Sequence, residues 1–197
     1  GPQLANLPRS GGIEGLALSA DGKLLYVAIE KGLVEDPDRR RRLLLEFDLN
    51  RGAFTERYHR YEVDAADVSI AALESAGPGR LLLTERDSGE GDAALVKRVY
   101  RVDLGTRDER GCLQKHLVCD LLDMADPKGL TRAEPGAVGL GADFQFPFVT
   151  PECLMLLDER TLLLINDNNY PMSTGRRPGL PDDSEFIRVR LTESVAP

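Results

Sequence analysis

The 197-residue sequence has no tryptophan, two histidines and three cysteines, and each scarcity removes a class of protein. Cys112, Cys119 and Cys153 are odd in number and show no CxxC spacing, so they signal neither a zinc site nor a disulfide framework. Buried free thiols are the reading they favour; a Cys112–Cys119 bridge stays open only if the two fall on neighbouring strands. His59 (RYHRYEV) and His116 (QKHLVCDL) lie in charged stretches and read as exposed or structural. Without a well-placed histidine, a Ser-His-Asp triad lacks its base. The chain also has no GxSxG elbow, no GxGxxG and no Walker loop. No apolar run approaches the roughly 20 residues that span a bilayer, so no membrane span is expected, and no signal peptide is present. Basic residues are in deficit, 25 against 33 acidic for a net charge of −8, which argues against a nucleic-acid partner. The one basic run, Arg39 to Arg42, sits beside Glu35, Asp36 and Asp38 and reads as a solvated loop.

What the chain does have is apolar residues, 42% of the total, enough for one domain or at most two small ones. Gly1-Pro2 reads as the remnant of a cleaved tag, in which case a secretory signal would have been lost with the native N-terminus. Three stretches repeat: GIEGLALSADGKLLYVAIEKGL from Gly12, VSIAALESAGPGRLLLTERDSG from Val68, and VTPECLMLLDERTLLLINDNNY from Val149. Each is an apolar strand, a turn, a second apolar strand and an acidic or amide end. Leu16, Leu73 and Leu154 correspond, as do Leu24-Leu25, Leu81-Leu82 and Leu162-Leu163. Asp21-Gly22, Pro78-Gly79 and Asp158-Glu159 mark the turns, and Asp-Gly is a strong hairpin signal.

A further alternating strand follows each pair: LLLEFDLNRG, VKRVYRVDLG and EFIRVRL. Phe54 to Val63 and Leu113 to Leu122 can each supply a fourth. Units of four antiparallel strands over about 12–63, 68–122 and 149–191 are the pattern of β-propeller blades. The all-β alternative is a sandwich of ten or eleven strands. Residues 124–148 are rich in Gly and Pro and read as an insertion loop; Asp120 to Asp126 could form one helical turn. Two blades and most of a third cannot close a ring of four to eight, so an incomplete ring with exposed edges, prone to self-association, is expected over 1–197.

IEGLALSADGKLLY, RRLLLEFDL, IAALESAGPGRLLLTERD with VKRVYRVDL, and LLLINDNNYP with EFIRVRL together resemble the phytase-like family described as having esterase-like activity. The resemblance covers nearly all of Gly11 to Leu191 and looks like the C-terminal half to two-thirds of that domain. One departure is Glu152-Cys153-Leu154, where the family commonly repeats Glu-Gly-Leu. It implies a β-propeller of a mostly bacterial, often exported family. Propeller phytases use calcium held by carboxylates to neutralise phosphate and activate water. The implied function is hydrolysis of a carboxylic ester or phosphoester, with calcium as the expected cofactor; fold kinship alone does not transfer a reaction, and a non-catalytic propeller that binds a ligand or protein is the alternative.

In a propeller, strand ends gather in rings around the channel mouths. Glu14 and Glu152 occupy equivalent positions at the start of the first strand, with Ser69 near that place in the middle unit. Glu30, Asp87 and Asn168 are taken as equivalent at the end of the second strand. Such oxygens suit calcium, which takes six to eight hard ligands in irregular geometry. Glu14, Glu152, Asp167 and Asn168 are therefore the first candidates for metal binding, and Glu30, Glu85 and Asp87 the second. The plain readings are a turn for Asn168-Asn169 and an internal ion pair within Glu85-Arg86-Asp87.

Overall fold

The computed structural model describes residues 6–196; Gly1-Pro2, expected to be a tag remnant, lies outside them. Alternation of apolar and polar residues, broken by turn formers, yields thirteen strands and, among the described residues, no α-helix. The first blade runs β1 (Ile13–Leu18), β2 (Leu24–Ile29), β3 (Arg41–Asp48) and β4 (Ala53–Glu62), paired antiparallel in that order. The second runs β5 (Ser69–Ser75), β6 (Arg80–Arg86), β7 (Lys97–Arg107) and β8 (Leu113–Asp120) in the same order. A two-residue pairing of β9 (Met124–Ala125) with β10 (Asp143–Phe144) interrupts the connection to a third, three-stranded sheet. That sheet consists of β11 (Thr150–Asp158), β12 (Thr161–Asp167) and β13 (Phe186–Arg190).

The blades lie side by side, with β1 against β5 and β5 against β11. One apolar cluster joins the first two blades through Ala17, Ala28, Leu44, Leu73, Leu83 and Val102. A second joins the second and third through Leu82, Val99, Leu154, Leu162 and Leu164. The middle blade is covered on both faces, which is why β5 and β6 read as near-continuous apolar runs while β1 alternates. Each fully buried Leu there contributes about 1.5–3 kcal/mol. The outer faces of the arc are open. Leu16, Leu18, Phe54 and Tyr58 are exposed on the first blade, and Met155, Leu157 and Phe186 on the third. Among the described residues the sheets do not close into a ring.

Glycine 15 sets how closely the first two blades approach. A Cβ there would lie 2.6 Å from the Leu73 Cβ and 3.0 Å from the Leu73 backbone nitrogen. The Asp-Gly turn behaves as its sequence expects, with Gly22 at φ 70° and the Ser19 hydroxyl donating to Asp21 at 2.8 Å.

Three local expectations are corrected. Asp120 to Asp126 forms a turn leading into β9 and no helix, because Leu121 and Phe146 pair their backbones and Leu121 is buried in the second cluster. The 124–148 insertion is mostly loop, yet it drives Phe144, Phe146 and Phe148 into that same cluster. The basic run is not uniformly solvated. Arg42 begins to pair within β3 and is 1% exposed, its guanidinium satisfied by the carbonyls of Glu30 (2.9 Å), Arg39 (2.8 Å) and Val68.

Candidate functional site

A β-bulge lies near the start of each innermost strand. Ile13 pairs with Ile29 and Gly15 with Ala28, leaving Glu14 in the bulge. Ala71 takes that place in β5 and Glu152 in β11. Bulges re-aim side chains and often sit beside functional sites. Glu14 and Glu152 are thus structural equivalents, and the middle member is Ala71 rather than the neighbourhood of Ser69. On the returning strand, Glu30 bonds back to Gly12 (N···O 2.8 Å), while Arg86 pairs with Ser69 and Asp167 with Thr150. The equivalent set is therefore Glu30, Arg86 and Asp167, not Glu30, Asp87 and Asn168. The first hairpin carries one more residue between Leu16 and Leu25 than lie between Leu73 and Leu81 or Leu154 and Leu162, which displaced the alignment by one.

These strand ends share one electrostatic neighbourhood. Partial burial raises the Glu152 carboxyl above the usual range; Asp167, Glu14 and Glu30 raise it further, and Arg86 pulls it down. Glu14 is raised by partial burial and by Glu30, with Arg86 and Lys31 opposing. Arg86 Nη2 donates to Glu30 Oε1 at 3.1 Å, and Glu30 is buried. The Arg86 Nε is enclosed without an acceptor among the described residues. Glu14, Glu30, Glu152 and Asp167 of the outer two blades thus lie within electrostatic reach of one another and of the Arg86 guanidinium of the middle blade, which bonds to Glu30. Arg86 is the member that sequence reasoning missed.

The remaining candidates lead elsewhere. Glu85, Arg86 and Asp87 do not pair with one another, because alternation sends them in different directions. Glu85 is fully buried, accepting from Tyr61 Oη (2.5 Å), the Asp64 backbone nitrogen (3.0 Å) and Lys115 Nζ (2.5 Å). Burial next to Glu85 pushes the Tyr61 hydroxyl far above its ordinary pKa, so the proton stays on tyrosine. Asp87 accepts from buried Lys97 Nζ at 2.5 Å and from the Leu95 backbone nitrogen at 2.9 Å. Asn168 Oδ1 caps the Tyr170 nitrogen at 3.1 Å, and Asp167 Oδ1 that of Asn169 at 3.0 Å. Asn169 occupies the left-handed region at φ 45° and reaches the Thr150 hydroxyl, so this stretch closes a turn while presenting Asp167. Among the described residues, no group of three or more His, Cys, Asp or Glu is gathered as a cation centre.

Both histidines lie away from the mouth. His59 is buried on β4, with Nε2 2.7 Å from Glu46 Oε1 and Nδ1 2.7 Å from Arg107 Nη2, and His116 is on β8, the outermost strand of its blade. The three thiols are free, and burial pushes Cys119 up to about 12.

Side-by-side antiparallel blades with a ring of polar strand ends define a β-propeller arc. A sequence model of the family described as "Phytase-like: Esterase-like activity of phytase" matches residues 1–170. The chain belongs to this family, and its domain is of hydrolase type. No curated protein matches the chain significantly.

Proposed function

We propose that the mouth formed by Glu14, Glu30, Arg86, Glu152 and Asp167 is where this domain binds and hydrolyses a carboxylic ester or phosphoester. The supporting observation is that Glu14 and Glu152, both raised by burial and by neighbouring carboxylates, lie within electrostatic reach of a guanidinium with an unsatisfied nitrogen. A carboxylate with a raised pKa is a better general base near neutral pH. In this reading Glu152, with no cation bound to it, takes a proton from the attacking water; a calcium ion held by Glu152 would lower that carboxylate's pKa and supply the activated water instead. Arg86, steadied by Glu30, orients the carbonyl or phosphoryl oxygen of the substrate.

Calcium is the proposed metal. The donors fit it chemically, being hard oxygens whose mutual repulsion a divalent cation would relieve. Glu14, Glu152 and Asp167 would hold it with water completing the shell, since they are not drawn together as a ready centre. Once bound, it would neutralise substrate charge and lower the pKa of a water. The reading extends to location, an exported protein, in keeping with a family whose members are often secreted. No described helix is long and apolar enough to cross a membrane.

A second reading, a propeller module that binds without turnover, is favoured by the distance of both histidines from the mouth: one is locked between Glu46 and Arg107 and the other lies on an outermost strand. Assays of p-nitrophenyl acetate and phytate, with calcium and with a chelator, separate the two. Turnover of either substrate supports the hydrolase; its absence from folded, full-length protein leaves the binding module.

A further inference from the structure

At the opposite end of the β12–β13 hairpin from Asp167, the chain leaves β13 and lies back over the second blade. Residues 191–195 are pinned there by Leu191 N to Arg160 O (2.7 Å), Val195 N to Glu159 O (2.9 Å) and Arg80 Nη1 to Val195 O (3.3 Å). Between this segment and strands β7 and β8 lies a cavity of about 590 Å³, within the range of small-molecule sites. Leu117, Val118, Leu191 and Val195 contribute aliphatic patches to a lining whose exposed surface is mostly polar.

Its charge is unlike that of the rest of this acidic chain. Arg101 and His116 are directly paired across β7 and β8, and both line the cavity. The Arg101 side chain makes no hydrogen bond among the described residues, and its Nε is enclosed and orphaned. Its nearest carboxylate, Asp103, stands 3.8 Å away and already accepts from Arg80 Nε at 2.8 Å. An enclosed guanidinium nitrogen without an acceptor is costly and calls for a partner. Lys115 adds no free charge, because Asp64 and Glu85 hold its ammonium at 2.6 and 2.5 Å. Glu193 is the single acidic side chain in the lining.

We propose that this cavity binds a small organic anion, a carboxylate or phosphate head on a compact apolar body. Arg101 clasps the head, since a guanidinium matches either oxyanion in bidentate fashion. His116 and the Thr192 hydroxyl flank it, and the aliphatic patches cover the body. The site is separate from the acidic mouth and stands whether or not the mouth is catalytic.

The test is calorimetric titration of the whole protein with benzoate, phenylphosphonate and inorganic phosphate. Benzoate or phenylphosphonate binds, and inorganic phosphate binds more weakly because it leaves the aliphatic patches uncovered. The tighter of the two aromatic probes identifies the head group. Arg101→Met weakens binding about tenfold or more, the loss of a charge-assisted bidentate contact. Glu193→Gln tightens it, and Arg86→Met at the mouth leaves it unchanged. The proposal is overturned if neither aromatic probe binds, if folded Arg101→Met binds as the native protein does, or if Arg86→Met removes the binding. Should Arg101→Met fail to fold, an affinity unaltered by Glu193→Gln overturns it equally.

Discussion

Replacing Gly15 with alanine probes the contact on which both the blade packing and the placement of Glu14 depend. The new Cβ would lie 2.6 Å from the Leu73 Cβ, 3.0 Å from the Leu73 nitrogen and 3.2 Å from the Ala28 Cβ. Carbon atoms rest about 3.5–4.0 Å apart, so the closest contact is too short by about 1 Å. Its partner is the rigid base of a side chain in a neighbouring strand, not a flexible tip. The strain must therefore be relieved by moving β1 away from β5, which loosens the cluster between the first two blades. Overpacking of this kind costs about 1–3 kcal/mol. At about 2–4 °C per kcal/mol for a domain of this size, thermal melting followed by circular dichroism should fall by about 2–12 °C. Gly12→Ala is the control: it begins the same hairpin, has negative φ and has nothing within 4 Å of the new Cβ, so it should stay within about 0.5 kcal/mol of the native protein. Equal melting of Gly15→Ala and the native protein, or equal losses in both variants, would refute the close-approach argument.

Glu85→Ala should destabilise the fold by about 3–5 kcal/mol, because Lys115 and the Tyr61 hydroxyl lose a buried partner; a chemical denaturation midpoint like that of the native protein would show that Glu85 is not structural. For Glu14 and Glu152 the folded-state pKa lies above the ordinary value, so their contribution to stability is present below about pH 4.5 and is lost as pH rises through the raised pKa. Glu14→Gln/Glu152→Gln should accordingly be at least as stable as the native protein at neutral pH without metal, with the gap closing below that range; a gap that widens on acidification contradicts the crowding. Calcium at a hundredfold excess over its dissociation constant should stabilise the native protein by roughly 2.7 kcal/mol and leave Glu152→Gln unshifted. Identical native melts in calcium and in chelator would reject the metal.

The blades were legible because period-2 alternation and turn residues are local signals. Leu16, Leu73 and Leu154 match across the three sheets just as the repeated strands suggest. The ring at the mouth was only partly legible. Glu14 and Glu152 stand out as carboxylates entering apolar strands. The extra residue in the first hairpin concealed Arg86 behind Asp87, since a one-residue slip turns a strand's side chains to the other face. Arg42, Glu85 and Lys97 look like ordinary surface charges in the sequence. Their burial depends on carbonyls and counter-charges brought in by other segments, such as Val68 for Arg42 and Lys115 for Glu85. The insertion's three phenylalanines could have warned that residues 144–148 return to the core, since exposed loops rarely carry such clusters.

The most direct test of the acidic mouth is kcat/KM for p-nitrophenyl acetate, measured on native protein, Glu152→Gln and Arg86→Met after circular dichroism has shown all three folded. The account predicts that both variants lose about a hundredfold or more, the usual contribution of a positioned general base or oxyanion partner. Native-like kcat/KM in both variants would place the chemistry elsewhere and contradict it.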